Sequence, residues 1–399
     1  MKKGWQTTTL GDVAEISAGN SAPQAESLFK DGTYPFFRTA DAGRVRFGDI
    51  YESADYLNEE GVRRLRRYPK GTILFPKSGA STFLNHRVML GVEGCVSSHL
   101  ATIVADESQI KPRYLLYFLS TVAAQDLVQD HAYPSLNLPI IAGISIQAPT
   151  LPEQQRIVGI LDEAFDGIAT AKANAEKNLQ NARALFEGHL QSVFTRRGEG
   201  WVEKTIEEVC IIGDGNHASN YPRKDELVEA GVPFIRATNL VAGRISGYDM
   251  RFLSPQKHAQ LKKGHLKTGD ILITNRGEIG RTAIVDSDYD NANLNSQIAW
   301  LRCCAGMDNK FLFHVLNSGD IQKHFQSSKS GAALQQFTIK QLKALRVPLP
   351  PAPAQQAIVE QLDALSEETQ RLKSIYQRKL AALEALKKSL LHQAFTGNL

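Results

Sequence analysis

The feature that most constrains this chain is an internal repeat of about 200 residues. Gly4-Trp5 returns as Gly200-Trp201, and Gln154-Gln155 returns as Gln355-Gln356, so the offset drifts only from 196 to 201. Between these ends, further matches pair Pro35 to Arg38 with Pro233 to Arg236, and Gly71 to Leu74 with Gly269 to Leu272. So small a drift predicts one structural unit, duplicated and fused, with a few loop insertions. Two similar but non-identical halves are suited to contacting two similar but non-identical objects.

The composition is that of a soluble globular protein, with 42% apolar and 22% charged residues in 399. This length allows two or more domains that each bury a core. No apolar run reaches the roughly 18 residues that cross a membrane, and the N-terminal residues lack the apolar core of a signal peptide. We therefore expect a cytoplasmic protein without membrane contact. Its four cysteines lack metal-ligand spacing and are expected to be reduced and mostly buried: Cys95, Cys210, Cys303 and Cys304.

Each half begins with a mixed part and ends in a helical part. Short β-like runs bounded by Gly, Pro, Asn and Asp are Thr72–Phe75, Ala101–Val104, Asp270–Ile273 and Ile298–Leu301. Helical patterns follow at Pro112–Val128 and Lys310–Phe325. The sequence predicts an α+β fold around a mainly antiparallel sheet in each front domain. We place these domains at residues 1–150 and 199–350.

The rear parts, residues 151–198 and 351–399, open with proline-rich segments that prevent a helix from extending backwards. Apolar or small residues then recur at alternating gaps of three and four, from Ile157 to Val193 and from Ile358 to Leu390. This period predicts two long antiparallel helices that form a coiled coil of roughly 60 Å. Gly198 and Gly397 are expected to stop them. The alternative is that each helix packs on its own front domain or on another chain.

The charge distribution is more informative than the net charge of +4. Residues 60–90 contain seven Lys or Arg and one acid, and residues 244–281 form a similar basic zone at the same place in the repeat. A single such run is usually a solvated face. Its recurrence in both halves favours contact with a polyanion, because phosphate neutralisation is what makes clustered cations useful.

Motifs of catalysis are absent from the sequence. It contains neither a phosphate-binding G-x-x-x-x-G-K-[ST] loop nor an H-E-x-x-H zinc motif nor a G-x-S-x-G nucleophile turn. The only Pro-Pro pair, Pro350-Pro351, is flanked by Leu349 and Ala352, unlike the Asn/Asp-Pro-Pro-aromatic motif of adenine methyltransferases. The sequence therefore predicts a protein that is not an enzyme and that holds no metal.

The order and doubling of these segments resemble the specificity subunits of type I restriction-modification enzymes. The most specific stretch is Pro149 to Asp162, which Pro350 to Asp363 repeats with Ala354 in place of Glu153. The Leu10-Gly11-Asp12-Val13 opening is also similar to that family. The resemblance covers the whole chain.

This resemblance implies two target recognition domains, each followed by a helical conserved region. Each domain would read one half of a split, asymmetric target in double-stranded DNA, and the coiled coil would fix the gap between the halves. The subunit would be non-catalytic and would bind two methyltransferase subunits and the restriction and translocase subunits. S-adenosylmethionine, ATP and Mg²⁺ would bind to those partners, so that this chain itself carries no cofactor.

The candidate DNA-reading residues are loop residues near the basic zones, chosen because Arg reads guanine, Asn or Gln reads adenine, and Lys or Arg grips phosphate. In the first domain they are Arg38, Thr39, Arg63, Arg64, Arg66, Arg67, Lys77, Ser78, Ser81 and Asn85. In the second they are Arg236, Thr238, Asn239, Asn275, Arg276 and Arg281. Weaker candidates precede the long helices, namely Tyr133, Ser135, Asn137, Gln335 and Gln336. Structural turns and solvated linkers are the alternatives for these loops.

Two glutamine pairs at the start of the long helices are candidate partner-binding residues, namely Gln154, Gln155, Gln355 and Gln356. The alternative is that a side-chain amide caps free N–H groups in the first helical turn. For the whole chain, the alternative function is a tandem-domain adaptor that binds other proteins through its coiled coil, without specific DNA binding.

Overall fold

The structure is a computed structural model that describes residues 4–217, 221–327 and 335–399. The chain divides into two compact units, one formed by Met1–Ala175 with Arg378–Leu399 and the other by Glu176–Gln377. The border falls inside each of two 45-residue helices. Each unit therefore contains one mixed domain and a segment of both long helices.

In the described part of the first unit, residues 4–175, ten strands and five short α-helices precede the beginning of a long helix. The strands are β1 (Gln6–Thr9), β2 (Ala14–Ala18), β3 (Tyr34–Phe37), β4 (Phe47–Ile50), β5 (Asp55–Leu57), β6 (Ile73–Pro76), β7 (Arg87–Leu90), β8 (Cys95–Val96), β9 (Leu100–Ala105) and β10 (Ser145–Ala148). The helices are α1 (Leu10–Val13), α2 (Thr39–Val45), α3 (Glu59–Arg63), α4 (Pro112–Ser120), α5 (Leu138–Ala142) and α6 (Leu151–Thr195).

The main sheet of the first unit has the strand order β2-β9-β6-β7-β4. Its pairs are antiparallel except for β4 and β7. Ile73 and Phe75 of β6 and Ile103 of β9 pack with Tyr114 and Leu115 of α4 in one buried cluster. Burial of this apolar face is what holds the sheet and α4 together.

The second unit repeats this design with some changes. Its described strands are β11 (Val202–Thr205), β12 (Cys210–Asp214), β13 (Leu227–Val228), β14 (Val232–Ile235), β15 (Leu240–Val241), β16 (Arg244–Ile245), β17 (Arg251–Leu253), β18 (Ile271–Thr274), β19 (Thr282–Ile284), β20 (Asn293–Leu294), β21 (Ile298–Cys303) and β22 (Arg346–Leu349). Its described helices are α7 (Ile206–Val209), α8 (Pro255–Gln260), α9 (Asn309–Leu316), α10 (Gly319–Ser327), α11 (Ile339–Ala344) and α12 (Ala352–Thr396). The main sheet runs β12-β21-β18-β19, which matches β2-β9-β6-β7 of the first unit. The predicted α+β class and the internal repeat are thus confirmed.

Within the first unit the two long helices run antiparallel. Arg156, near the start of α6, donates to the carbonyl of Leu399 just beyond α12. Lys172, 16 residues further along α6, pairs at 2.8 Å with Glu384, which lies 15 residues before Leu399. The C-terminal part of α12 also enters the core of this unit, where Ala394 is fully buried and Phe395 lies edge-on to Tyr114 at 5.3 Å. In this unit the two helices therefore pack on the front domain as well as on each other.

Several predicted boundaries are corrected by the structure. The helix expected over Pro112–Val128 ends at Ser120, and the one expected over Lys310–Phe325 is divided into α9 and α10 at Asn317 and Ser318. Asn317 is used as a cap there, since its side-chain amide donates to the carbonyl of Phe313 and contacts the Thr282 hydroxyl. A short polar side chain that bonds the preceding turn ends a helix in this way.

The long helices end at matching threonines, but only one of them is followed directly by its glycine. Gly397 follows α12 directly with a φ of +78°, as expected for a C-terminal glycine, but α6 already ends at Thr195, before Gly198. Of the predicted seam positions, Leu386 is exposed rather than packed. The expectation of mostly buried thiols holds for Cys95 and Cys210 but is wrong for Cys304, which is exposed.

Candidate nucleic-acid interface

In the first unit, the loop that follows β6 is joined to the segment that precedes α5. Leu136 donates its backbone N–H to the carbonyl of Lys77 at 2.8 Å, and Gly79 donates to the carbonyl of Pro134 at 2.8 Å. Ser78 and Ser135 form the antiparallel bridge between them. We call residues 77–79 and 134–136 the first loop pair. It brings together two groups of candidates that are nearly 60 residues apart in the sequence.

The second unit contains the same arrangement. Phe337 donates to the carbonyl of Asn275 at 2.9 Å, Gly277 donates to that of Gln335 at 3.0 Å, and Arg276 and Gln336 form the bridge. Residues 275–277 and 335–337 are the second loop pair. The two loop pairs share one backbone arrangement but carry different side chains. The first has Lys77, Ser78 and Ser135, and the second has Asn275, Arg276 and Gln336. This difference fits two DNA-reading domains whose contact side chains have diverged.

The glycine of each loop pair has a positive φ, +73° for Gly79 and +74° for Gly277. A Cβ on Gly79 would meet no atom within 4 Å, and one on Gly277 would meet only the side chain of Gln297, at 3.9 Å. The backbone conformation therefore requires glycine here, whereas crowding does not. The open space beside each glycine leaves the backbone approachable by a ligand.

The cations of the loop pairs remain available. Lys77 and Arg276 are half-buried, and neither forms an ion pair with any other residue that the structure describes. Asn275 is buried, and its side-chain oxygen has no hydrogen-bond partner among those same residues. A positive charge without an internal carboxylate is free to meet an external anion.

The candidates after β3 and β14 lie at a turn in each domain. Arg38 stacks over the Phe36 ring at 5.1 Å and forms an ion pair with Asp55, and the neighbouring Thr39 starts α2 half-buried. Arg236 pairs with Asp249 at 2.8 Å, and the nearby Thr238 is exposed. Both arginines are thus engaged within the fold.

Two of the candidate asparagines are corrected to structural roles. Asn239 is 1% exposed and uses its whole amide internally: the side-chain oxygen accepts from the Arg236 N–H, and the nitrogen donates to the carbonyls of Ser246 and Tyr248. The Asn85 side chain accepts from the Ala124 N–H at 2.8 Å and donates to Gln125. Neither amide is free to read a base, because doing so would leave interior groups unsatisfied.

Most of the arginine cluster of the first basic zone lies beyond helix α3. Helix α3 ends at Arg63, so Arg64, Arg66 and Arg67 lie beyond it. Each of the four is exposed and paired with its own acid: Arg63 with Glu59, Arg64 with Glu60, Arg66 with Glu15 and Arg67 with Glu93. Surface pairs of this kind are weak and exchange readily with an external anion, so phosphate contact by these arginines stays a prediction. The same is true of Arg281, which pairs with Glu278, while the Ser81 hydroxyl donates to the Ser78 carbonyl within the loop.

The first glutamine of each pair is also corrected. Gln154 is fully buried; its oxygen accepts from the Lys111 N–H at 2.8 Å, and its nitrogen donates to the carbonyls of Gln109 and Pro149. Gln355 repeats this with Asp308, Gly306 and Pro350. These amides join the long helices to the start of α4 and of α9, where they are inaccessible to a partner. Gln155 and Gln356 are exposed, and their partner-binding role stays a prediction.

One arginine of the first basic zone is buried, which the sequence did not predict. Arg87 in β7 is fully buried, stacks over the Phe75 ring at 3.5 Å and donates to the carbonyls of His86 and Val122. Burial without a carboxylate lowers the pKa of its guanidinium to about 9. Its position in an alternating strand pattern gave no signal, since Arg is almost always exposed.

Among the residues that the structure describes, no three His, Cys, Asp or Glu side chains come together as metal ligands. In the same part of the chain, none of the helices has the length and apolar content that a membrane crossing requires.

Comparison with known proteins identifies the family. A family model for the type I restriction modification DNA specificity domain matches residues 2–180 and matches again at residues 198–379. The two matches span most of the chain and coincide with its two-fold repeat. The chain therefore belongs to the type I restriction modification DNA specificity family, as the resemblance of its motifs predicts.

Two curated relatives are similar over nearly the whole length. The chain is 22% identical over 420 residues to the type I restriction enzyme MjaVIII specificity subunit of Methanocaldococcus jannaschii, with 99% of this chain and 93% of that protein covered. It is also 22% identical over 424 residues to the EcoBI specificity subunit of Escherichia coli, with 99% and 86% covered. This family membership favours the DNA-recognition hypothesis over the tandem-domain adaptor.

Two solved structures share the fold. The HsdS subunit from Thermoanaerobacter tengcongensis is similar with a TM-score of 0.63 at 20% identity, covering 100% of this chain and 98% of that one. A chain from a study of complex assembly and conformational transition of the type I R-M system gives a TM-score of 0.79 at 19% identity, covering 100% and 99%.

Proposed function

We propose that this chain is the DNA-recognition subunit of a type I restriction-modification enzyme. Each front domain reads one half of a bipartite, asymmetric target in double-stranded DNA. The observation that carries the proposal is the pair of equivalent loop pairs, each with an open glycine next to a cation that has no ion-pair partner among the described residues. One backbone frame with different side chains at Lys77-Ser78 and Asn275-Arg276 supports recognition of two different half-sites.

The chain acts without catalysing a reaction itself. Its proposed partners are two methyltransferase subunits, which bind S-adenosylmethionine, and restriction and translocase subunits, which use ATP and Mg²⁺. The exposed glutamines Gln155 and Gln356, next to the buried anchors of the long helices, are proposed contacts for these partners. A cytoplasmic location is proposed because the DNA and the nucleotide cofactors are found there.

Methylation mapping in the host tests the proposal. We expect one split, asymmetric sequence to lose its methylation when the chain is deleted and to regain it when the chain is restored. Exchanging residues 1–150 for the corresponding domain of a relative should change one half of that sequence only. An unchanged methylation pattern after deletion of the chain would contradict the proposed function. A simultaneous change of both halves of the target would contradict the proposal that each domain reads its own half.

A further inference from the structure

Tyr248 is the most exposed large hydrophobic side chain in the described part of the chain, with 88% of its surface open to solvent. It lies in the five-residue turn 246–250 between β16 and β17. A single exposed apolar residue is ordinary on a protein surface. The construction of this turn is what distinguishes Tyr248.

The turn is held from inside by the buried Asn239. The side-chain nitrogen of Asn239 lies 3.0 Å from the carbonyl of Ser246 and 3.0 Å from that of Tyr248, and its oxygen accepts from the Arg236 N–H at 3.0 Å. A buried amide stabilises a conformation only when all its groups are bonded, as they are here. The backbone beneath Tyr248 is therefore fixed before any ligand arrives.

Arg236 provides a second restraint on the same turn. Its guanidinium donates to both the carbonyl and the carboxylate of Asp249, and this hydrogen bond holds the pKa of Asp249 below its usual value. Asp249 has a φ of +51°, a conformation that is unfavourable for a residue with a side chain. Such a conformation persists where neighbouring contacts enforce it, and it occurs often at ligand-binding sites.

The surroundings of Tyr248 suit DNA better than a protein. Its neighbours Ser246, Gly247 and Asp249 add no apolar surface, whereas a protein interface typically has a contiguous apolar patch. The two strands that flank the turn each carry an exposed arginine, Arg244 in β16 and Arg251 in β17. A lone aromatic ring beside cations matches double-stranded DNA, whose grooves offer apolar base atoms next to phosphates.

The first unit contains a related turn. Tyr51 lies between β4 and β5 with 58% of its surface exposed. The buried Asp41 accepts from the Arg38 N–H at 2.7 Å and from the Ala54 N–H at 3.0 Å, so it ties this connection to the end of β3. Asp41 and Asn239 are 198 residues apart, the same offset as Arg38 and Arg236. Both repeats thus fix a tyrosine-bearing turn with a buried acid or amide at one position.

We propose that Tyr248 is a DNA contact of the second domain, that its ring makes apolar contact with bases in the half-site that this domain reads, and that Tyr51 does the same in the first domain. This inference rests on the proposed function. It gives Arg236 and Asn239 the role of positioning residues that hold the turn.

The test compares Tyr248→Ala, Tyr248→Phe and the parent in the full chain, by fluorescence anisotropy. The probes are a duplex with the methylation-mapped target and the same duplex with its second half-site scrambled. We expect Tyr248→Ala to weaken target binding roughly tenfold, the scale of one lost aromatic–base contact, and Tyr248→Phe to stay within about twofold. The salt dependence should be unchanged, because no phosphate contact is removed. Equal target affinity of Tyr248→Ala and the parent would overturn the inference.

Two controls separate the outcomes. Ile211→Ala removes another exposed apolar side chain of the same unit, outside the turn, and should leave binding unchanged. A parent chain that fails to distinguish the target from the scrambled duplex would contradict the proposed function itself, whatever Tyr248 does. If Tyr248→Ala keeps its DNA affinity and loses assembly with the methyltransferase, Tyr248 is a protein contact and the DNA inference is wrong.

Discussion

The imidazole nitrogen Nε2 of His314 lies 2.9 Å from the Oδ1 atom of Asp363, which joins α9 to α12. Lys310, one turn earlier in α9, reaches the other oxygen of the same carboxylate at 2.7 Å. The first unit has the same anchor with other residues, since Tyr117 and Arg113 of α4 both bond to Asp162 of α6. Both repeats therefore place an aspartate on the long helix, but different side chains bond to it in each.

The His314 anchor predicts a pH-dependent stability of the second unit. Burial lowers the pKa of His314 and outweighs the opposing effect of Asp363, so the folded state favours the neutral imidazole. Because the unfolded chain takes up this proton more readily, unfolding becomes easier as the pH falls from above about 6.5 through the folded pKa. We expect the unfolding temperature of the parent to decrease between pH 7.5 and 5.5 in calorimetry.

His314→Tyr is the matched control, since it installs the residue that the first repeat uses. This variant should lose part of the decrease between pH 7.5 and 5.5. The remainder is expected from His258, whose pKa is also lowered, chiefly by burial. Asp363 titrates at lower pH and does not contribute in this range, because bonds from Lys310 and His314 offset its burial and hold its pKa below the usual value. A variant with the full parental pH dependence would contradict the assignment to His314.

A second prediction concerns the buried glutamines. Gln154→Ala should lower the free energy of unfolding of the first unit by about 1–3 kcal/mol, because it leaves the Lys111 N–H and two carbonyls without partners. Gln355→Ala should do the same in the second unit. Chemical denaturation of the full chain, followed by near-ultraviolet circular dichroism, measures the loss.

The neighbouring Gln155 and Gln356 supply the control, since both are exposed. Their alanine variants should keep parental stability to within roughly 0.5 kcal/mol and lose affinity for the methyltransferase subunit in a pull-down. A parental affinity would remove these side chains from the partner surface. A stable Gln154→Ala variant would show that the interior bonds are replaceable, for example by water.

The burial of Gln154 could have been predicted from the sequence. Gln154, Ile157 and Leu161 are spaced by three and four residues, which places the glutamine on the apolar seam of α6. The same periodicity did predict both long helices and most of their packed positions. The structural role of Asn239 is harder to predict from the sequence. Only the aligned Asp41 of the other repeat indicates that a short polar side chain bonds its own turn at this position.

Other features depend on tertiary contacts that the sequence does not encode locally. The two segments of each loop pair are about 60 residues apart in the sequence. Only the fold shows that Ser78 and Ser135 form a backbone bridge. The exposure of Tyr248 follows from a turn fixed by Asn239 and Arg236, which precede it by about ten residues. The sequence Ser246-Gly247-Tyr248-Asp249 predicts a turn, but it does not show how far the tyrosine ring is exposed.

The loop pairs predict a salt-dependent DNA affinity. Lys77→Ala and Arg276→Ala should each weaken binding, and where the lost contact is to a phosphate, the slope of log affinity against log salt concentration should also fall by about one. Titrations of the target duplex at two or more salt concentrations give the slope. Loss confined to one half-site would mark a base contact, and equal loss on all sequences would mark a phosphate contact.

Arg63→Ala is the comparison for these variants, since Arg63 is exposed but paired with Glu59 at 3.3 Å. If Arg63 is only part of a solvated surface, its removal leaves the slope at the parental value. If it exchanges Glu59 for a phosphate, the slope falls as it does for Lys77→Ala. Parental affinities and parental slopes for both Lys77→Ala and Arg276→Ala would exclude the loop pairs from the DNA contact.

The length of the two long helices predicts the gap in the DNA target. Under the proposed function, α6 and α12 hold the two readers at a set separation, and one heptad added to each helix lengthens them by about 10 Å, since each residue adds about 1.5 Å. That increase corresponds to roughly three base pairs of B-DNA, so the methylated sequence should keep both halves and gain about three bases between them. Insertion between residues 175 and 176 and between 377 and 378 leaves the anchors of each unit intact and preserves the seam, because seven residues complete two helical turns. Adding the heptad to α6 alone is the control, and it should abolish methylation by shifting one seam against the other. If the double insertion methylates the parental sequence with the parental gap, the helices do not set the spacing.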